Sequence, residues 1–395
     1  MKVAFIFDTR VKYPPDFNNM KCYYVTRELC RRGIRVTWLS IGEKDTVQED
    51  DGIKFVEIRV LRLRFIWLLI SAFKVTAYCR KEGISILYAD DWLFMRRRLL
   101  SKLFFQFIIR LFGIFWVSDM RDPFLDFEVA TGRIKEGSLN YLVKRVEEFL
   151  SYSLSSLVIL PSEAYARLMS EQGINSKKLI GIFRGVDRQL FTPNTNGWKL
   201  RENLGIKDSF VIGWFGIMQK YRLIDELLAP LAANLERIFP DAFLLIGGKG
   251  SRLESITKIV NGKESNRVIY AGTIPYNRMP EYIAACDVLL CPVSTKNRFS
   301  LFSAWLKIAE ALAVGHPVVA TRTFTSYVDF KDLRGVIWVG STYEEFVNGI
   351  KLVRRNLHKI REEAMRQALD FHLYSIDRNI PRIVNAIINV VEKSF

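Results

Sequence analysis

The carboxylate Glu310 sits in a stretch of small and apolar residues, IAEALAV, that reads as one turn after another of a helix. An ionised side chain there requires a partner, because unpaired burial of a charge is costly. Lys307 lies three residues earlier on the same side of that helix and could pair with it. Two more cations, Lys220 and Arg222, follow Gly216, the glycine that ends the run VIGWFG. Arg121 and Asp122 in VSDMRDPF, and Asp90 with Asp91 in LYADD, follow other apolar runs, at strand ends where open α/β sheets place their sites. Asp122 could orient a hydroxyl, cap a helix or pair with Arg121. Asp90-Asp91 lacks the D-x-D spacing of a metal pair, and no His or Cys cluster supports a metal site.

The elements that must position these groups are legible around Glu310. Asp287 to Cys291 reads as a strand, Ser303 to Val314 as a helix and Val318 to Ala320 as a second strand. Gly315 suits the left-handed position after the helix, and Pro317 forbids its continuation. The strands are unbroken apolar runs, as expected for a parallel sheet covered on both faces. Ser303 reads as the helix N-cap, and Phe299-Ser300-Leu301-Phe302-Ser303 as the loop before it, with free backbone N–H groups suited to an anion. Further strands are expected at Val3 to Phe7, Val36 to Ile41, Ile86 to Tyr88, Ile114 to Ser118, Leu157 to Leu160 and Val211 to Phe215, and a linker at Asp187 to Trp198.

The order K-x-x-E-A-L-A-x-G-x-P-V-V-A after C-D-V-L-L-x-P resembles the donor site of retaining glycosyltransferases of family four, in a K-x-x-E subgroup. Ser162-Glu163, Gly185-Val186-Asp187, Phe191-x-Pro193, VIGWFG and FLLIGGKG follow in the family's order, so the resemblance covers nearly the whole chain. It implies an α/β architecture of the GT-B type, two Rossmann-like, doubly wound parallel-sheet domains facing across a cleft. The domains would be 1–190, on the acceptor side, and 198–375, on the donor side, with a last helix at about 376–395 packing back on the first.

By the same resemblance Glu310 would accept hydrogen bonds from the ribose hydroxyls of a nucleotide-diphosphate sugar, a role for which a carboxylate has enough acceptor sites. Ser300, Leu301, Phe302, Ser303, Gly216 and Lys307 would line the donor. Retaining transfer without a metal or other cofactor needs cations on the leaving diphosphate. The family's usual arginine position is Ile217 here, leaving Arg222 first and Lys220 next. Asp122, Arg121, Asp90 and Asp91 would stand on the acceptor side, toward a glycan or lipid-linked acceptor. Three features depart from the family. Phe302 replaces its first glutamate, YPPDFNNMKCYY replaces its Gly-Gly loop, and no histidine falls in the first half to act in catalysis. A sugar-nucleotide epimerase and a non-catalytic glycan- or membrane-binding subunit remain alternatives on the same fold.

Composition bounds the rest. The 395 residues suit two or three domains, and 49% hydrophobic content supplies their cores. The five cysteines have no metal-type spacing and read as free thiols of a reducing cytoplasm. MKVAFIFDTR reads as a strand rather than a signal peptide. The net charge of +16 includes two acid-free basic stretches, 58–81 and 92–118. In the second, Arg98, Lys102, Gln106 and Arg110 recur every four residues on an otherwise apolar helix. Arg96 and Arg97 precede them. Such a pattern fits either a peripheral contact with an anionic membrane face or a helix whose polar stripe meets water. Nothing accompanies the charge that would recognise nucleic acid.

Overall fold

β-branched and aromatic runs nucleate two sheets, each in its own unit. In the computed structural model residues 1–7, 20–60, 67–90, 99–262, 266–370 and 374–392 are described. Asp91, Arg96, Arg97, Arg98, His372, the segment 8–19 and the side chain of Lys102 lie outside them. The first unit comprises Met1–Glu128, Ile134–Arg184 and Asp377–Phe395; the second comprises Val129–Arg133 and Gly185–Ile376. The chain therefore passes between units at Arg184–Gly185 rather than along Asp187 to Trp198. That stretch belongs to the second unit, where Phe191 is buried against Tyr276.

The first unit is an eight-stranded sheet of order β3-β4-β2-β1-β5-β6-β7-β8. Its strands are β1 (Lys2–Phe7), β2 (Arg35–Gly42), β3 (Thr46–Asp50), β4 (Ile53–Arg59), β5 (Ile86–Asp90), β6 (Phe115–Asp119), β7 (Leu157–Leu160) and β8 (Leu179–Gly181). All neighbours are parallel except the β3–β4 hairpin. The polar, exposed TVQED of β3 can close the sheet edge because it has no apolar face to bury. Val3 to Phe7 and Leu157 to Leu160 are buried on both faces, which explains their unbroken apolar character. The C-terminal helix Ile376–Glu392 is amphipathic, and within this unit Asn379 donates to the Phe183 carbonyl at 2.9 Å.

The second unit is a six-stranded, all-parallel sheet of order β11-β10-β9-β12-β13-β14. These strands are β9 (Phe210–Phe215), β10 (Ala242–Gly247), β11 (Val268–Tyr270), β12 (Val288–Cys291), β13 (Val318–Thr321) and β14 (Val336–Val339). The expected helix after β12 is two helices, Arg298–Phe302 and Leu306–Ala313. Asn297 caps the first through the Ser300 N–H at 2.8 Å, and the Ser303 N–H closes it on the Phe299 carbonyl. Ser303 is thus the residue ending a short helix, not the N-cap of the longer one. Gly315 takes φ +83° where the second helix stops, as its position before Pro317 predicts.

Candidate active site

Parallel sheets gather their loops at the carboxyl ends of the strands, and in the second unit β9, β10 and β12 bring the sequence-predicted groups together there. β9 and β10 end against each other. The Gly216 N–H donates to the Gly247 carbonyl at 2.9 Å, and Gly248 lies so close that a Cβ on it would meet the Gly216 carbonyl at 1.8 Å. Gly216 itself is at φ +151°, and a Cβ there would come within 2.6 Å of the Lys307 amine. Only glycines permit this approach.

Lys307 rises from the Leu306–Ala313 helix to donate to the Phe215 carbonyl at 2.7 Å, with its amine 5.0 Å from the Trp214 ring centroid. Burial, and then the nearby Arg222, lower its pKa to about 7; Cys291 and Glu310 oppose the change weakly. The amine therefore does not pair with Glu310. Glu310 is buried and accepts instead from the Tyr276 hydroxyl at 2.8 Å, so the partner its burial requires comes from a loop 34 residues away.

Arg222 stands on the single turn Lys220–Arg222 after β9. The next residue, Leu223, is left-handed at φ 53°, a conformation that costs a leucine about 1 kcal/mol or more and holds the turn where the chain enters Ile224–Leu228. The guanidinium lies 4.2 Å from the Trp305 centroid and 5.3 Å from that of Tyr221. Tyr221, Phe299 and Trp305 pack on one another, fixing that platform. Arg222 Nε and Nη1 are buried without a hydrogen-bond partner, as are the hydroxyls of Ser300 and Ser303. Buried donors left unmade cost about 1–3 kcal/mol each, which marks these atoms as waiting for an acceptor or bridging water. Lys220, by contrast, is exposed.

The expected anion loop differs from the prediction. The N–H groups of Ser300, Leu301 and Ser303 are spent within the short helix. No side chain caps the start of Leu306–Ala313 at Trp305, so the open backbone donors belong to that first turn instead. Phe302 lies flat on Phe324, ring centroids 5.0 Å apart and 3° from parallel, so an aromatic pair occupies the position of the family's first glutamate. Ile217, at the family's arginine position, is exposed.

The first unit carries a second buried polar cluster, again at carboxyl ends. Asp90 of β5 and Asp119 of β6 are register partners, both buried. At the ~4.8 Å strand spacing two bare carboxylates would repel by roughly 3 kcal/mol in an effective dielectric of ~20. Two cations offset this. Arg121 reaches Asp90 at 2.8 Å, and Lys21 reaches Asp119 at 2.6 Å. Tyr88 also donates its hydroxyl to Asp119, and the Cys22 Sγ is 3.8 Å from Asp90. Burial, then Asp90 and Asp119, push the Cys22 thiol well above its ordinary pKa, so it stays protonated. Arg121 thus pairs with Asp90 rather than with Asp122, which lies in the turn leading to the helix Phe124–Ala130. Lys21, Tyr88 and Asp119 carry no local signal in the sequence; the SD ending of FWVS-D resembles any strand end.

The other candidates are structural. Cys22, Cys79, Cys286 and Cys291 are buried, Cys30 is half-buried, and all are free. His316 is buried with Nδ1 2.7 Å from the Cys286 carbonyl, and burial lowers its pKa to about 3. Among the described residues no three His, Cys, Asp or Glu side chains cluster as a metal site, and no helix is long and apolar enough to cross a membrane.

Comparison with known proteins agrees with this geometry. A "Glycosyltransferase Family 4" model matches residues 22–190, and a "Glycosyl transferases group 1" model matches residues 209–351. Curated proteins give no match. Among solved structures, sucrose-phosphate synthase of Thermosynechococcus elongatus superposes with a TM-score of 0.72 at 15% identity, covering 100% of both chains. HepE of Anabaena, in complex with UDP and glucose, gives 0.71 at 18% identity over 98% of this chain and 100% of that one. A putative UDP-N-acetylglucosamine 2-epimerase of Listeria monocytogenes gives 0.60 at 12% identity, over 99% and 97% of the two chains. With the two family models spanning both units on the GT-B fold, the chain is a glycosyltransferase of the family 4 type.

Proposed function

We propose that the protein is a retaining, metal-independent glycosyltransferase that moves a hexose-type sugar from a nucleoside-diphosphate sugar to a glycan or lipid-linked acceptor on the cytoplasmic side. One observation carries the reading. The buried Glu310 carboxylate stands in the same strand-end cluster as Lys307 and as the Arg222 and serine donors that lack partners. A carboxylate for a ribose diol beside cations and hydroxyls for a diphosphate is the donor set such a substrate needs. HepE, similar in fold, binds UDP and UDP-glucose, which supports a nucleotide-sugar donor.

In this reading Glu310 accepts from the ribose hydroxyls, displacing or sharing the Tyr276 hydroxyl. Arg222, with Lys307 behind it, stabilises charge as it builds on the leaving diphosphate, and the exposed Lys220 contributes less. Ser300 and Ser303 give hydrogen bonds to phosphate oxygens, while Gly216 and Leu301 shape the wall. Phe302, where the family has an acid, offers an apolar face toward the sugar. Asp90, Arg121 and Asp122 serve the acceptor side, and Asp91 adjoins them in sequence.

The epimerase reading draws support from the similar fold of the Listeria protein, and product analysis separates the readings. Donor labelled in the sugar is incubated with and without a lipid extract and oligosaccharides. Acceptor-dependent label transfer, with the donor's anomeric configuration kept in the product, is expected. Free epimerised sugar plus nucleotide without any acceptor identifies an epimerase, and donor binding without turnover identifies a non-catalytic subunit.

A further inference from the structure

The helix Leu139–Leu154 is inside out. Its inward side is polar: Arg145 binds Asp126 and Glu148, the latter at 2.6 Å, and the Ser151 carbonyl accepts from Gln106 at 3.3 Å. Its outward side carries Leu139, Leu142, Val143, Val146, Phe149 and Leu150, all exposed, with Leu139 at 78% and Val146 at 58%. Their spacing of three and four residues makes one continuous stripe along the helix.

The neighbouring helix Leu99–Leu111 buries Phe105, Ile108 and Ile109 in the core yet still leaves apolar residues outside. Its polar residue Gln106 is fully buried against Ser151 and Ser155, while Phe104, Phe107 and Leu111 face out. Of the polar stripe expected to meet water, Gln106 packs helix against helix while Arg110 stays exposed, and the outward apolar residues sit on two helices that pack together. A soluble surface rarely exposes so large an apolar patch without a partner.

The charges around it indicate which partner. Arg110 donates to the Leu154 carbonyl at 2.6 Å and Lys178 to the Ser153 carbonyl at 2.9 Å, placing two cations at the end of the stripe. On the helix Trp67–Glu82, which packs beside Leu99–Leu111, Lys74, Arg80 and Lys81 are exposed next to the exposed Phe73. The acid of that helix, Glu82, is engaged by Lys54 at 3.2 Å, and Leu99–Leu111 contains none. Glu148 is paired with Arg145 on the inward side, and the exposed Glu136 and half-buried Glu147 are set against Lys135 and Lys144. A second copy of a +16 chain would bring cations against cations, whereas an anionic lipid surface complements them.

We infer that the outward faces of Leu139–Leu154 and Leu99–Leu111 form a monotopic docking surface for an anionic bilayer. The apolar stripes enter the headgroup boundary and the flanking cations hold lipid phosphates. Among the described residues no helix is long and apolar enough to cross the membrane, so the surface would lie on it. The inference is independent of the sugar chemistry, since it rests on the surface of the first unit.

Flotation of the full chain with vesicles of phosphatidylcholine, with and without phosphatidylglycerol, tests it. Binding is expected to the anionic vesicles, to fall with salt, and to weaken by about tenfold or more in a Leu142→Gln, Val146→Gln, Phe149→Gln variant. Leu369→Gln, at an exposed leucine of the other unit, should bind as the wild type does. In case the triple variant misfolds, Val146→Trp gives a second readout: brominated lipid should quench its fluorescence beyond that of the wild type. Absence of vesicle binding, unchanged binding by a folded triple variant, or lack of added quenching overturns the inference. A dimer that the triple variant splits, with no vesicle binding, assigns the face to a second copy and overturns it as well.

Discussion

Replacing Lys307 with methionine should make the protein more stable and its donor binding weaker. The folded protein holds the amine near a pKa of about 7 against an ordinary 10.5, through burial and the adjacent Arg222. At about 1.36 kcal/mol per pH unit, that difference corresponds to roughly 5 kcal/mol for keeping the amine charged at low pH. Lys307 is half-buried rather than sealed, so solvent screening reduces this to about 2–3 kcal/mol. Losing the hydrogen bond to the Phe215 carbonyl returns about 1 kcal/mol. A net gain of roughly 1–2 kcal/mol, a few degrees in Tm, remains at about pH 6. Between about 7 and 10.5 the unfolded chain binds the proton that the folded one has released, so wild-type stability rises with pH across that window. The advantage of Lys307→Met should therefore shrink from about pH 7 to pH 9. Urea unfolding of both proteins at the two pH values is the assay. A variant less stable than wild type at low pH, or an advantage that does not change with pH, refutes the electrostatic account of this amine. Donor binding should also draw a proton onto Lys307. Calorimetric enthalpies for UDP-sugar in buffers of different ionisation enthalpy should then show uptake in the wild type and less in the variant.

Arg222→Met should lower kcat more than it raises the donor KM, because its unmet N–H groups are stationed for charge that develops in the transition state. A change in KM alone makes it a ground-state contact, and normal kinetics move the role to Lys220. Ser303→Ala should leave folding stability unchanged or raise it by up to about 1 kcal/mol, since its buried hydroxyl has no partner to lose. The same substitution should weaken donor binding several-fold; equal binding with equal stability removes Ser303 from the donor set.

The strands were legible because burial on both faces leaves an unbroken apolar run, as in Val3 to Phe7 and Val288–Cys291. The β3–β4 hairpin was not, because TVQED has no apolar pattern to reveal. Ser303 suits an N-cap by residue type, yet Asn297 captures the chain six residues earlier and starts a separate turn. Glu310 declared its need of a partner, but Tyr276 is joined to it only by the fold. Lys21 and Asp119, 98 residues apart, meet for the same reason. In Leu99–Leu111 periodicity marks a polar stripe but not that one member leaves it: Gln106 turns inward, where its amide nitrogen donates to the Ser151 carbonyl and the Ser155 hydroxyl, while Arg110 stays exposed.

Calorimetric titration of the wild type and Glu310→Ala with a UDP-sugar tests the donor assignment most directly. Loss of one charge-assisted pair to the ribose diol is worth about 1.5–3 kcal/mol, a weakening of roughly ten- to hundredfold. The account predicts that loss in a variant that remains folded by circular dichroism. Unchanged affinity in a folded Glu310→Ala protein would contradict it.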